Sequence, residues 1–238
     1  MVRSVRRDLR AVSSARRAAV NRWFFKTGPG DYGEGNRFLG ITVPDLRRIA
    51  RAHADLPRND VLRLLRSKWH EERLLALVIL VRQYAHADER GRRAIHRLYL
   101  RNTRWINSWD LVDASAAQIV GAHLQKGERN ILRRLARSKS VWERRIAMIA
   151  TSHYIRNGDF ADALAIADML VNDEHDLIQK AVGWMLREIG NHDRQAEERF
   201  LRRHAHTMPR TMLRYAIEKF PDRLRRKHLN KQGVRRVR

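Results

Sequence analysis

The 238-residue sequence contains no cysteine. That absence excludes disulfides, thiolate nucleophiles and a cysteine-type structural zinc site, and it fits an intracellular, cytoplasmic protein. Proline and glycine are also scarce, with five and twelve residues, so few positions force a helix to stop. No apolar run approaches the roughly 18 residues that span a bilayer. The longest, Leu74 to Val81, has the length of a buried helix face, so the chain is expected to be soluble. The start, Met1 to Arg10, is basic but leads into no apolar core, so no secretory signal is expected. Acidic residues are outnumbered, 26 against 50 Lys and Arg, for a formal net charge of +24. Solubility does not require so much charge, and a polyanionic partner accounts for it economically. Charge alone does not choose between DNA, RNA, ribosome and an anionic membrane, and a merely basic solvated surface is the bland alternative.

Apolar residues recur at three- and four-residue spacing along nearly the whole chain, which predicts helix and no strand. Leu62, Leu65 and Trp69 form one stripe, Leu74, Leu77, Val78 and Val81 the next, then Ile95, Leu98 and Tyr99. Breaks are expected at Asp55-Leu56-Pro57, Gly127, Asn157-Gly158-Asp159, Gly190-Asn191 and Met208-Pro209, and Pro44 suits a first helical turn.

A repeat organises these helices. Blocks beginning at Arg73, Asp110, Arg145, Lys180 and Arg214 each set a charged residue against small and apolar ones, at separations of 37, 35, 35 and 34 residues. A period in the mid-thirties is one helix pair per repeat, and without a tetratricopeptide consensus it reads as HEAT-like. The expected fold is all-α: a solenoid of stacked antiparallel helix pairs with a concave basic face. One continuous domain is expected over residues 1–229, with 230–238 as a flexible basic tail. The five block-leading residues would then form a ladder, cationic except for Asp110. Charges favoured at helix ends by the dipole or by solvation give the plainer account of the same pattern.

Several motifs fail on inspection. The glycine-rich stretch Gly28 to Gly35 lacks a preceding strand and a Gly-Lys-Ser/Thr, so it is expected to be a surface loop. His70-Glu71-Glu72-Arg73-Leu74 misses the zinc-protease pattern because Leu74 stands where the second histidine is needed, and His204 and His206 fall on different helical faces. No metal and no cofactor are implied. The informative tract is Trp105 to Asp113. If Trp109 and Asp113 share a helix, they project from one face as an aromatic plate beside a carboxylate, with Asp110 close by. The commoner fates are a core tryptophan and a capping aspartate. Trp184 lies four residues after Lys180 and so near the same strip.

Four blocks in order and spacing resemble the AlkD-type DNA alkylation-repair glycosylases: Phe38 to Arg47, Trp109-Asp110-Leu111-Val112-Asp113, Trp142-Glu143-Arg144-Arg145-Ile146-Ala147, and Gln179 to Glu188. The resemblance implies a HEAT-like fold and a monofunctional glycosylase that releases alkylated purines from double-stranded DNA. It places the catalytic aspartate on Asp113, its indole neighbours on Trp109 and Trp184, and the family arginine on Arg145. With Lys180, Arg214, Lys26 and Arg187, Arg145 is expected to hold phosphates. Before Phe38 the chain departs from the family through a longer insertion, and Trp23, Phe24 and Tyr32 all qualify as the aromatic that meets DNA there. A monomer is expected. A non-catalytic HEAT-like DNA- or RNA-binding module would need the cations but not Asp113, and a protein scaffold would leave the charge of +24 unexplained.

Overall fold

The computed structural model describes residues 1–233, and among these there is no strand; the one extended pairing is a single bridge between Arg37 and Trp69. The helices group into two compact units that divide between Ile119 and Val120. The first holds α1 (Val2–Ala11), α2 (Ala15–Phe24), α3 (Val43–Ala52), α4 (Arg58–Leu65), α5 (His70–His86), α6 (Glu89–Leu100) and α7 (Trp109–Asp113). The second holds α8 (Asn130–Ala136), α9 (Val141–Ala150), α10 (Ser152–Ile155), α11 (Ala161–Leu170), α12 (Asp176–His192), α13 (Arg194–His204), α14 (Arg210–Ala216) and α15 (Asp222–Gly233). Of the expected tail, residues 230–233 continue α15, and 234–238 lie outside the described residues.

Most helix boundaries follow from local chemistry. Pro57 and Pro209 stand as the caps of α4 and α14, where a missing N–H costs nothing, and Pro44 sits in the first turn of α3. Gly158 ends α10 at a φ of 76°, a backbone region that favours glycine. The Gly28 to Gly35 stretch is a turn-rich loop, entered through Lys26 at a φ of 48°. The break expected at Gly190-Asn191 is not there: α12 runs on to His192 and stops at Asp193, which caps α13. A Cβ at position 190 would meet the Glu197 carboxylate, so Gly190 serves close helix packing and not a turn.

Each unit is built on one long, buried helix, α5 or α12, each of 17 residues. Leu74, Leu75, Ala76, Leu77, Ile79 and Leu80 of α5 are buried, and the helix packs on α3, α4, α6 and α7. The first turn of α5 is charged yet buried. Glu71 accepts from the Leu39 and Gly40 N–H groups at 2.8 Å each, and Glu72 takes a forked bond from Arg6. Acids at a helix start are favoured by the dipole, and here they fasten the preceding loop and α1 as well. In the second unit the row is tighter still. A Cβ on Gly183 of α12 would fall 2.5 Å from the Met212 carbonyl of α14, so only glycine permits that approach.

Helix pairs recur within each unit as the period requires. α4 packs on α5, α8 on α9 and α11 on α12, while the second members lie side by side: α5 with α7, and α9 with α12 and α12 with α14. In the second unit Arg145, Lys180 and Arg214 each stand five residues past their caps Ser140, His175 and Pro209, an identical register. In the first unit Arg73 falls within one residue of that register, counted from Trp69. Asp110 does not, being two residues past Ser108; the residue five past it is Asp113. The acidic rung is therefore Asp113, and the sequence reading misplaced it because it could not see where α7 begins.

Candidate functional site

In the first unit, Trp109 and Asp113 are the first and last residues of α7 and so share one helical face. Asp113 is half-buried at the C-terminal end, with no basic residue in that last turn. The helix dipole makes this an unfavourable place for a carboxylate, by about 0.3–1 kcal/mol, and concentrates negative potential there. That potential is felt by Tyr99. Burial pushes its phenol up, the hydrogen bond with Ser115 at 3.0 Å pulls it down, and the Asp113 charge pushes it up further.

Trp109 belongs to an aromatic cluster that the sequence did not disclose. Its indole stacks on Phe25 with centroids 5.5 Å apart and planes at 18°, and meets the edge of Phe24 at 6.0 Å. Phe25 in turn stacks on Phe38 at 5.0 Å, and both rings pack on His70. Of the three N-terminal aromatics, Phe24 is the one beside Trp109 and is 54% exposed; Trp23 points outward at 82% exposure, and Tyr32 is half-buried. Lys26 is exposed and lines a shallow surface hollow with Arg22, Trp23 and Phe24. The insertion before Phe38 thus supplies the floor and one edge of the Trp109 site.

Behind Trp109, Asp110 Oδ2 lies 2.7 Å from His70 Nε2. Burial works to raise the Asp110 carboxyl, but the His70 charge and hydrogen bond, joined by Ser108 and the Leu111 N–H, bring it below the ordinary carboxylate value. Arg73, expected as a solvent-facing cation, is instead buried. It donates to the Ser67 carbonyl at 2.9 Å and to Asn36 Oδ1, and burial lowers its guanidinium to about 10 against the pull of Asp110 and Glu71. The sequence considered His70 only as part of a failed zinc motif, and nothing local ties it to Asp110. Among the described residues no three metal-ligating side chains come together.

In the second unit the named residues differ sharply in exposure. Arg145, only 5% exposed, donates through Nη1 to the Leu177 carbonyl at 2.5 Å and so ties α9 to the first turn of α12. The sequence reading had it facing phosphate. Lys180 is partly exposed and paired with Asp176 at 2.7 Å, one turn earlier on α12. Arg214 is exposed. Trp184 is half-buried and donates Nε1–H to Glu188 at 3.0 Å, while Arg187 bonds both Glu188 and Glu218.

The family model described as DNA alkylation repair enzyme matches residues 5–220. A solved structure described as a predicted DNA alkylation repair enzyme from Enterococcus faecalis is similar with a TM-score of 0.67 at 15% identity, covering 88% of this chain and 97% of that one. At that identity the likeness bears on the fold alone. No curated protein sequence matches the chain.

Proposed function

The chain belongs to the DNA alkylation repair enzyme family, and from that premise we propose that it is a glycosylase releasing cationic N3- or N7-alkylated purines from duplex DNA. The observation that carries this reading is the placement of Asp113: a half-buried carboxylate at the negative end of α7, on the same face as a partly exposed indole. Breaking the bond between base and deoxyribose builds positive charge on the sugar, and a fixed carboxylate at that point lowers the barrier. The dipole that disfavours Asp113 in the free protein favours a cation beside it. The same carboxylate can orient the attacking water.

An alkylated purine already carries positive charge and leaves readily, so the second, acid carboxyl of an ordinary glycosidase is dispensable. Trp109 would offer an electron-rich face to the developing cation, with Phe24 extending that surface. We assign Trp184 the corresponding role of a second indole and place phosphate contacts on Lys180, Arg214 and Lys26. Arg187, engaged by two glutamates, is a weaker contributor, and we read Arg145 as a brace between α9 and α12. Contacts of this kind grip the backbone without reading sequence.

The test is incubation with duplex DNA carrying N7-methylguanine, following free base. The parent is expected to release it, and Asp113→Asn to do so at least roughly 10²-fold more slowly, the scale of losing one electrostatic stabiliser. Duplex affinity should hold or rise slightly, because a carboxylate repels phosphate. A properly folded Asp113→Asn with the parental rate removes Asp113 from the mechanism. A parent that binds duplex and releases nothing leaves a binding module.

A further inference from the structure

α7 is five residues long, and its cap Ser108 makes no side-chain capping bond. Helices shorter than about 12 residues are marginal on their own, yet this one carries both Trp109 and Asp113. What fixes its first turn is Asp110, held at 2.7 Å by His70, which is 2% exposed. His70 is itself packed against Phe25 at 4.9 Å and Phe38 at 4.7 Å, and Phe25 stacks on Trp109. Trp109 is therefore gripped twice. Its indole lies on the ring that covers His70, and its backbone continues directly into the residue that His70 binds.

This arrangement is costly for the fold. His70 Nδ1, Asp110 Oδ1 and Arg73 Nε are buried without hydrogen-bond partners, and buried polar atoms left unsatisfied cost stability. Asp110 lies in the first turn of α7, where the dipole favours an acid, but it is not the cap residue. The pair's consequence in space is the fixed position of α7.

We propose that the buried His70–Asp110 pair is a positioning device that locks α7, and with it Trp109 and Asp113, in the geometry needed to cleave the glycosidic bond. The proposal rests on the glycosylase reading of Asp113. His70 and Asp110 act through α7, not on the substrate. Because both residues serve one contact, losing either should cost as much as losing both.

The experiment compares the parent, His70→Gln, Asp110→Asn and the double variant. It follows single-turnover release of N7-methylguanine, binding of undamaged duplex, and the nitrogen-15 indole spectrum, with Trp109 assigned through Trp109→Phe. Each protein is assayed well below its own melting midpoint, with the parent at the same temperature. Release is expected to slow about tenfold or more in each variant, with the double variant no slower than the slower single. Duplex affinity should stay within about twofold, and the Trp109 resonance should shift or broaden. A merely structural pair would lower the melting point and leave rate and resonance alone. A folded Asp110→Asn that releases base at the parental rate overturns the proposal whatever the spectrum shows, as does a loss confined to duplex binding. Should His70→Gln fail to fold, the isosteric Asp110→Asn decides alone. If the parent releases no base, the glycosylase reading has failed. The positioning of α7 is then judged by the Trp109 resonance, and an unmoved resonance overturns it.

Discussion

Two sequestered carboxylates, one in each unit, are treated oppositely. Asp110 in the first unit has His70 at 2.7 Å and stays below the ordinary carboxylate value in spite of burial. Glu197 in the second is 2% exposed with its Oε1 unpartnered, and burial, only partly opposed by Arg194, raises it to about 8. The rungs differ in the same sense. Where the second unit sets Arg145, Lys180 and Arg214, the first sets Arg73 and then Asp113. The negative charge of Asp110 is thus maintained by a dedicated partner, and that of Glu197 is suppressed. The first unit supplies the proposed catalytic carboxylate, and the second supplies two of the three proposed phosphate contacts.

The sharpest way to break this comparison within the second unit is Arg145→Ala. If the buried rung is a brace, its loss removes the bond to the Leu177 carbonyl and leaves a void between α9 and α12. Stability should fall by about 3 kcal/mol, the combined scale of a charged hydrogen bond and a cavity. Urea titration checks this. Duplex affinity of the fraction that remains folded should be nearly unchanged; a stable variant that binds DNA poorly would return Arg145 to the phosphate-contacting set.

The Glu197 carboxyl offers an effect with a definite sign. The unfolded chain releases this proton near 4.5, the folded chain only near 8. Between those values the folded state binds more protons, so this group makes stability fall as pH rises from about 4.5 and level off above about 8. Glu197→Gln keeps the shape over Gly190 and removes the titration. It should match the parent near pH 4.5 and exceed it by a growing margin up to pH 8. Parallel stability curves across that range would show that Glu197 is not held neutral. Asp110→Asn, by contrast, should destabilise, since it replaces the carboxylate that bonds His70 by a neutral, weaker acceptor.

What the sequence discloses follows from how far each interaction reaches along the chain. Helix content, the mid-thirties period and the stops at Pro57, Gly158 and Pro209 depend on neighbours a few residues away, and the structure has them where the pattern indicates. Gly190 misleads because its reason is a carboxylate on the next helix. The stacking of Trp109 on Phe25 and the clasp of His70 on Asp110 join segments with no local relation, so no periodicity reveals them. A charge pattern locates a cation on a rung; it does not say whether the guanidinium meets solvent, as at Arg214, or a carbonyl, as at Arg145.

That last contrast yields the smallest and most selective effect. Arg214 is exposed, and Lys180 is partly exposed with its charge shared by Asp176. Exposed ion pairs of that kind contribute little to stability, about 0–1 kcal/mol, so removing either cation should leave the melting point nearly unaltered. Binding to undamaged duplex should respond instead. Each lost phosphate contact weakens affinity for all sequences alike and reduces the slope of log affinity against log salt by about 0.9. Arg214→Ala should show this fully. Lys180→Ala should show less, because Asp176 already partly neutralises the lysine. Fluorescence anisotropy across a salt series separates the two. A salt slope unchanged in Arg214→Ala would remove Arg214 from the phosphate contacts, and an equal change in Arg145→Ala would show that buried and exposed rungs are used in the same way.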